Sequence, residues 1–159
     1  MYAIWIVVAL GVLAGAYALS DSESASPASS PSAMNLAMNM SQYRQAVVAF
    51  AAANPSFTGS VPLSGLQPYL ASNSPNPIWQ NYVVPNVGYT GSLVVIYASS
   101  PTPAGVTQDV EQLAQGSALA GVAFNNTVVS PGNPPVALPG GIASGVPNGV
   151  PVWMAQAYE

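Results

Sequence analysis

The stretch AMNLAMNMSQYRQAVVAFAAA, residues 33–53, decides the architecture of this chain. It is the clearest predicted helix of the part that follows the apolar N-terminal segment. Its larger apolar side chains recur at intervals of 4, 3, 4 and 3 residues, which places them on one helix face. These residues are Leu36, Met40, Tyr43, Val47 and Phe50. Asn54-Pro55 ends the helix, since the residue before proline is disfavoured in the α region. The stripe covers only two heptads, so we favour a helix packed on a sheet over an oligomerising helix.

Shorter segments beyond Pro77 are typical of β-strands. The stretch Tyr89–Tyr97 is apolar on both faces, which indicates a central strand. A second helix is predicted over Pro103–Gln115, with Thr102 as its N-cap and Asp109 and Glu111 as its exposed charges. The other predicted strands are Trp79–Val84, Ala118–Phe124, Thr127–Val129 and Val150–Ala155, with a short extended piece at Val136–Leu138. This order predicts an α+β domain in which a helix packs on an antiparallel sheet of four or five strands.

The N-terminal run Met1–Leu19 is uncharged and almost wholly apolar. As a helix rising ~1.5 Å per residue it would reach ~28 Å, about the hydrocarbon thickness of a bilayer. Trp5 and Tyr17 lie near its ends, where aromatic rings favour the membrane interface. We therefore predict an uncleaved transmembrane anchor. A cleaved signal peptide, with Ala16-Tyr17-Ala18 as its exit, and a buried soluble helix are the alternatives.

The segment Ser20–Ser32 is rich in Ser, Ala and Pro and has no apolar periodicity. It is predicted to be a flexible linker between the anchor and a domain that covers residues 33–159. Acidic residues follow the apolar run, and the α-amino group is the only cation before Arg44. This weak asymmetry favours a cytoplasmic N-terminus and a domain on the far side of the membrane.

The residue composition argues against several classes of function. Charged residues make up 4% of the chain, Arg44 is its single Lys or Arg, and cysteine, histidine and lysine are absent. Neutralising nucleic-acid phosphates requires several cations, so nucleic acid is not an expected partner. A serine nucleophile lacks a His or Lys base, and zinc lacks its usual ligands. We therefore expect no enzymatic activity, no metal and no cofactor.

Several sequence features resemble the PilM family of type IVb pilus systems, which is distinct from the actin-like ATPase of the same name. These features are the N-terminal span, the helix running into NPSFTGSVP (residues 54–62), the strand SLVVIYASSP (92–101) and the late PNGVPVW (147–153). The resemblance implies a small protein of the bacterial inner membrane whose periplasmic domain assists pilus assembly. Its implied partners are other pilus-assembly proteins, the inner membrane and, through self-association, further copies of itself.

The alternative to this assignment is a pilin. In that case the protein would be a minor-pilin-like or surface-binding subunit incorporated into the pilus. A pilin segment would carry a short basic leader and a glutamate five residues into the mature helix. Neither is present before Asp21. Pro27 and Pro31 also interrupt the continuous helix that a pilin needs. The domain itself is nevertheless expected to look pilin-like, with a helix across an antiparallel sheet.

Aromatic residues outside the helical stripe are the candidates for partner contacts. They are Tyr69, Trp79, Tyr89, Trp153 and Tyr158. Such side chains are enriched where proteins bind one another. The competing interpretation is that most of them belong to the core or to its rim.

Overall fold

The long helix α1 spans Pro31–Ala53 and begins two residues earlier than predicted, inside the segment assigned as linker. The Ser30 hydroxyl accepts a hydrogen bond from the backbone N–H of Ala33 (3.2 Å), and Pro31 occupies the first turn, where a missing N–H costs nothing. The helix ends at Ala53, so the predicted stop at Asn54-Pro55 is confirmed.

The computed structural model describes residues 30–70, 74–87 and 89–158. Two shorter helices follow α1, and they are α2 (Leu63–Leu66) and α3 (Val106–Leu113). The strands are β1 (Trp79–Pro85), β2 (Ser92–Ala98), β3 (Ala120–Phe124), β4 (Thr127–Val129), β5 (Val136–Ala137) and β6 (Pro151–Ala157). A 3₁₀ turn lies at Ala143–Gly145.

All these strands form one antiparallel sheet in the order β1-β2-β6-β3-β4-β5. The predicted α+β class, with a helix on an antiparallel sheet, is confirmed. The prediction of four or five strands is wrong, because β5 joins the sheet as a sixth strand through Thr127↔Ala137 and Val128↔Val136. The last strand, β6, lies in the middle of the sheet between β2 and β3.

Helices α1 and α3 pack against each other on the same face of the sheet, α1 over β1, β2 and β6 and α3 over β3 and β6. Of the predicted stripe of α1, Met40, Tyr43 and Val47 are buried, whereas Leu36 and Phe50 are only partly buried. Alanines complete the buried face, and they are Ala33, Ala37, Ala46 and Ala51. Their small side chains let the helix backbone approach the strands, so the two larger residues lie on the flanks.

The opposite face of the sheet is partly covered by the connection between β5 and β6. Tyr82 faces this side, because successive strand residues alternate between faces and Asn81 faces α1. A Cβ atom on Gly141 would collide with the hydroxyl of Tyr82, so the connection passes directly over that ring. Ile142 and Val146 of the same connection are buried. The sheet is therefore covered by helices on one side and partly by an irregular segment on the other.

Helix α3 departs from prediction at its start and in its charges. It begins at Val106 after Gly105, which has a φ of 92°, and not at Pro103 behind Thr102. Asp109 was expected to be exposed, but it is fully buried. The reason is geometric, since Asp109 lies three residues after Val106 and so shares the helix face that packs inward.

The predicted membrane anchor, with Trp5 and Tyr17, and the first ten residues of the predicted linker lie outside the described residues. Within residues 30–70, 74–87 and 89–158, no helix combines the length and the apolar character needed to cross a bilayer.

Candidate interaction surface

Arg44, the only Lys or Arg in the chain, lies against the ring of Trp153. Its guanidinium carbon is 4.3 Å from the ring centroid, a cation–π contact between α1 and the central strand β6. The Nε atom is buried and has no hydrogen-bond partner among the residues that the structure describes. Burial lowers the pKa of Arg44 from its usual value. An anion brought to this guanidinium would therefore compensate charge that the protein itself leaves poorly solvated.

A groove of about 430 Å³ opens beside this contact, between the end of α3 and the strand β6. Trp153, Ala155 and Gln156 of β6 line one side of it, together with Tyr158, which follows the strand. The Tyr158 hydroxyl donates a hydrogen bond to Oε1 of Gln156. The opposite wall comes from Leu113, Ala114, Gln115, Ser117 and Leu119. The groove thus combines a mixed lining of apolar and uncharged polar side chains with a single positive charge.

The strand β6 has an open edge in this groove. Its partner β3 begins at Ala120, opposite Trp153, and the last bond on that side runs from the Met154 N–H to the Leu119 carbonyl (2.7 Å). On the other side, β2 pairs with β6 as far as Ala157. Within the described residues, the part of β6 beyond Met154 is therefore paired on one side only.

A buried polar cluster fixes the loop before α2 to the sheet. Asn81 of β1 accepts a hydrogen bond from the Val61 N–H (2.7 Å) and donates to the Val61 carbonyl (3.0 Å) and to the Tyr43 hydroxyl (2.6 Å). Burial raises the pKa of Tyr43 above its usual value, although the Asn81 bond opposes this. Gly59 adds a backbone bridge to Val83. The end of NPSFTGSVP (residues 54–62), one of the features that carry the family resemblance, is therefore tied to the core by hydrogen bonds and has an architectural role.

Only some of the predicted interface aromatics are exposed. Tyr89, Tyr158 and Tyr69 are 76%, 59% and 37% exposed, respectively. The expectation that Trp79 and Trp153 are exposed is wrong, because both are buried. Each lies on the helix-facing side of its strand, Trp79 opposite Ala98 and Trp153 opposite Ile96. The three tyrosines remain predicted partner contacts.

Several exposed apolar residues were not singled out from the sequence, and Val87 and Phe124 are the two most exposed of those within the described residues. Val87, in the β1–β2 turn, is 93% exposed, and Phe124, at the tip of the β3–β4 hairpin, is 54% exposed. Phe124 directly precedes the tight turn Asn125-Asn126, in which both residues have positive φ. Its position before that turn was a usable signal, because a hairpin tip projects from the sheet and exposes its end residues. Val87 carried a weaker signal, since it lies inside the predicted turn.

Within the described residues, no group of three or more acidic, histidine or cysteine side chains lies close enough to hold a metal ion. The buried Asp109 and the half-buried Glu111 lie on the same short helix, two residues apart, and so point in different directions. This arrangement does not form a pair of carboxylates suited to acid–base chemistry.

Replacing Glu111 with glutamine should make the protein more stable at neutral pH. Burial raises the pKa of Glu111 in the folded state, so the folded protein keeps this proton at pH values where the unfolded chain has lost it. Stability due to this group therefore falls as pH rises from the unfolded pKa through the folded pKa. We expect a higher urea midpoint for E111Q at pH 7 and no difference at about pH 3, where the carboxyl is protonated in both the folded and the unfolded state. Equal midpoints at both pH values would contradict this.

The fold and the surface define a small α+β domain that offers grooves and exposed aromatic rings. The family model of PilM matches residues 8–154, and the chain belongs to this family, the PilM of type IV pilus systems and not the actin-like ATPase. A crystal structure described as a PilM protein from Escherichia coli B7A shares the fold. The two sequences are 16% identical, and the structural match covers 78% of this chain and 91% of the Escherichia coli chain with a TM-score of 0.50. Curated proteins gave no match.

Proposed function

We propose that this protein is a non-enzymatic inner-membrane component of a type IVb pilus machine, which acts through protein–protein contacts of a periplasmic domain. The observation that carries the proposal is the PilM family match over residues 8–154. A pilus-related role follows from the family, and the membrane placement rests on the apolar run at residues 1–19, with Trp5 and Tyr17 near its ends.

The described surface supports contacts rather than catalysis. Tyr69, Tyr89 and Tyr158 are exposed, and aromatic rings of this kind are enriched in protein interfaces. The low content of charged residues suits a domain that packs into a larger assembly, since charged side chains are depleted at interface cores.

Deletion of the gene in a pilus-producing host tests the proposal. We expect loss of surface pili, restored by the complete gene, with the protein in the inner-membrane fraction and its Met1 retained. Mild crosslinking in the same cells should join it to other pilus-assembly proteins. Normal piliation in the deletion strain would contradict the proposal.

A second candidate is a minor-pilin-like or surface-binding subunit built into the pilus. The helix packed across an antiparallel sheet favours it, because this is the arrangement expected of a pilin-like domain. Shearing separates the two functions. Recovery of the protein in sheared pili, with its N-terminal segment shortened by processing, would replace the assembly role with this one.

A further inference from the structure

We infer that the open edge of β6 from Ala155 to Ala157 binds an extended segment of another protein by strand addition, with a carboxylate of that segment paired to Arg44. The inference deepens the proposed function, on which it rests for taking the partner to be a pilus-assembly protein.

The backbone of β6 presents unused hydrogen-bonding groups at this edge. The N–H of Met154 points to the β3 side, where it bonds Leu119. In an antiparallel sheet the direction of the backbone groups alternates along a strand, so the N–H and C=O of Gln156 point to the same side. Within the described residues, no backbone partner reaches either group of Gln156. An added strand would satisfy them as β3 satisfies the earlier part of β6.

The outer edge of β1 is protected against strand addition, unlike the open edge of β6. Its outward groups are used by Gly59, which bridges Val83, and by the Ser60 hydroxyl, which bonds the Asn81 carbonyl (2.8 Å). At the other end of the sheet, β5 is only two residues long and is flanked by Pro135. Short strands, covering loops and prolines are the usual means of blocking strand addition. Within residues 30–70, 74–87 and 89–158, none of these covers Gln156.

Charge selects the kind of segment that fits. The chain has a formal net charge of −4, and its only cationic side chain, Arg44, lies in this groove. The buried Nε of Arg44 has no hydrogen-bond partner in the described part of the chain. The outer nitrogens of a guanidinium bind a carboxylate in a two-pronged geometry that lysine cannot reproduce. A second copy of this acidic chain is disfavoured by charge. The fitting partner is therefore a distinct protein with an acidic residue inside an otherwise uncharged strand.

The register predicts where that acidic residue lies. Residues directly opposite each other in a sheet project to the same face. Ala155 pairs with Val94 and faces the helices, on the side of Arg44, whereas Gln156 pairs with Leu93 and faces away. The carboxylate should therefore lie opposite Ala155 or Ala157. The residue opposite Gln156 should lie on the far face.

A defined peptide tests the site directly. The probe is a capped, fluorescent hexapeptide of alternating threonine and valine with one central glutamate, added to the full chain in detergent micelles. We expect saturable binding by fluorescence anisotropy and a shift of the Gln156 backbone amide in nitrogen-15 spectra. Replacing the peptide glutamate with glutamine should weaken binding about tenfold, because a charge-assisted pair is lost. No binding, or equal binding of the two peptides, would overturn the inference.

Variants at two positions distinguish the contribution of the Arg44 charge to peptide binding from that of the backbone edge of β6. R44Q should weaken the glutamate peptide about tenfold and leave the glutamine peptide unchanged. Gln156→Pro removes the exposed N–H and should abolish binding of both peptides, while Gln156→Thr keeps the N–H and should retain binding. Because residue 156 is exposed and its N–H has no backbone partner among the described residues, both variants at this position should fold, with unchanged circular dichroism. Binding to Gln156→Pro at wild-type strength would overturn the strand-addition geometry.

Other occupants give different results. Concentration-dependent dimerisation that R44Q abolishes would assign the groove to a second copy, against the inference. Tighter peptide binding by a chain carrying D21N and E23Q would assign it to the chain's own acidic segment, also against it. Peptide binding and piliation decide separate questions. Normal pili after gene deletion would reject the proposed function while leaving the peptide result intact, and failed peptide binding would reject only this site.

Discussion

Replacing Asn81 with alanine is expected to destabilise the protein by about 3–5 kcal/mol. The Asn81 side chain makes three hydrogen bonds in a buried site, two to the backbone of Val61 and one to the Tyr43 hydroxyl. Alanine would leave these partners without water and without a replacement, and a buried unsatisfied polar group costs more than the bond it loses. Urea unfolding followed by tryptophan fluorescence measures the change.

Asn39 provides a matched control for this prediction. Its side chain also joins distant segments, accepting from the Asn76 N–H (2.7 Å) and donating to the Ser74 carbonyl (3.2 Å), but these bonds are exposed. Water can replace the Asn39 side chain, so N39A should cost less than about 1 kcal/mol. Y43F should cost an intermediate amount, since Asn81 keeps its two bonds to Val61. Similar losses for N81A and N39A would mean that burial does not govern the cluster.

Local sequence features predicted the parts of the fold that depend on local energetics. The end of α1 follows from the conformational restriction before Pro55, and the strand β4 has the predicted bounds Thr127–Val129, because the turn Asn125-Asn126 limits it at one end. The apolar pattern of β2 also reflects its position inside the sheet, with a strand on each side. These signals act within a few residues and need no knowledge of what packs nearby.

Features that depend on distant parts of the chain could not be predicted in this way. No pattern near residue 151 indicates that the last strand enters the middle of the sheet, since this depends on which of β2 and β3 it meets. The burial of Asp109 and Trp153 depends on the packing of α3 and α1 over β6. The candidate groove is a further example. It exists because β3 begins only at Ala120 while β6 continues to Ala157, a mismatch visible only once the two strands are paired.

Replacing Gly91 with alanine is expected to have the largest effect of any single methyl addition in the domain. Gly91 has a φ of 94°, which strains any residue with a side chain, and a Cβ there would overlap the carbonyl oxygen of Ala157. The obstacle is backbone in the central strand β6, so it cannot move aside as a flexible side chain would. We expect a loss of more than about 4 kcal/mol, measured by urea unfolding of the full chain.

Substitutions at two other glycines measure separately the conformational and the steric contributions to this loss of stability. Gly116 has a φ of 70° and open space around its added Cβ, so G116A should show the conformational cost alone, about 1–2 kcal/mol. Gly121 lies in β3 without a positive φ, but its Cβ would overlap the carbonyl oxygen of Val129, so G121A should show the steric cost alone, about 3 kcal/mol. If both terms act at Gly91, G91A must exceed each of the other two. A loss for G91A no larger than that for G116A would show that β6 can shift away from the turn, and the ends of the central strands would then be less rigid than their pairing from Ser92 to Ala157 implies.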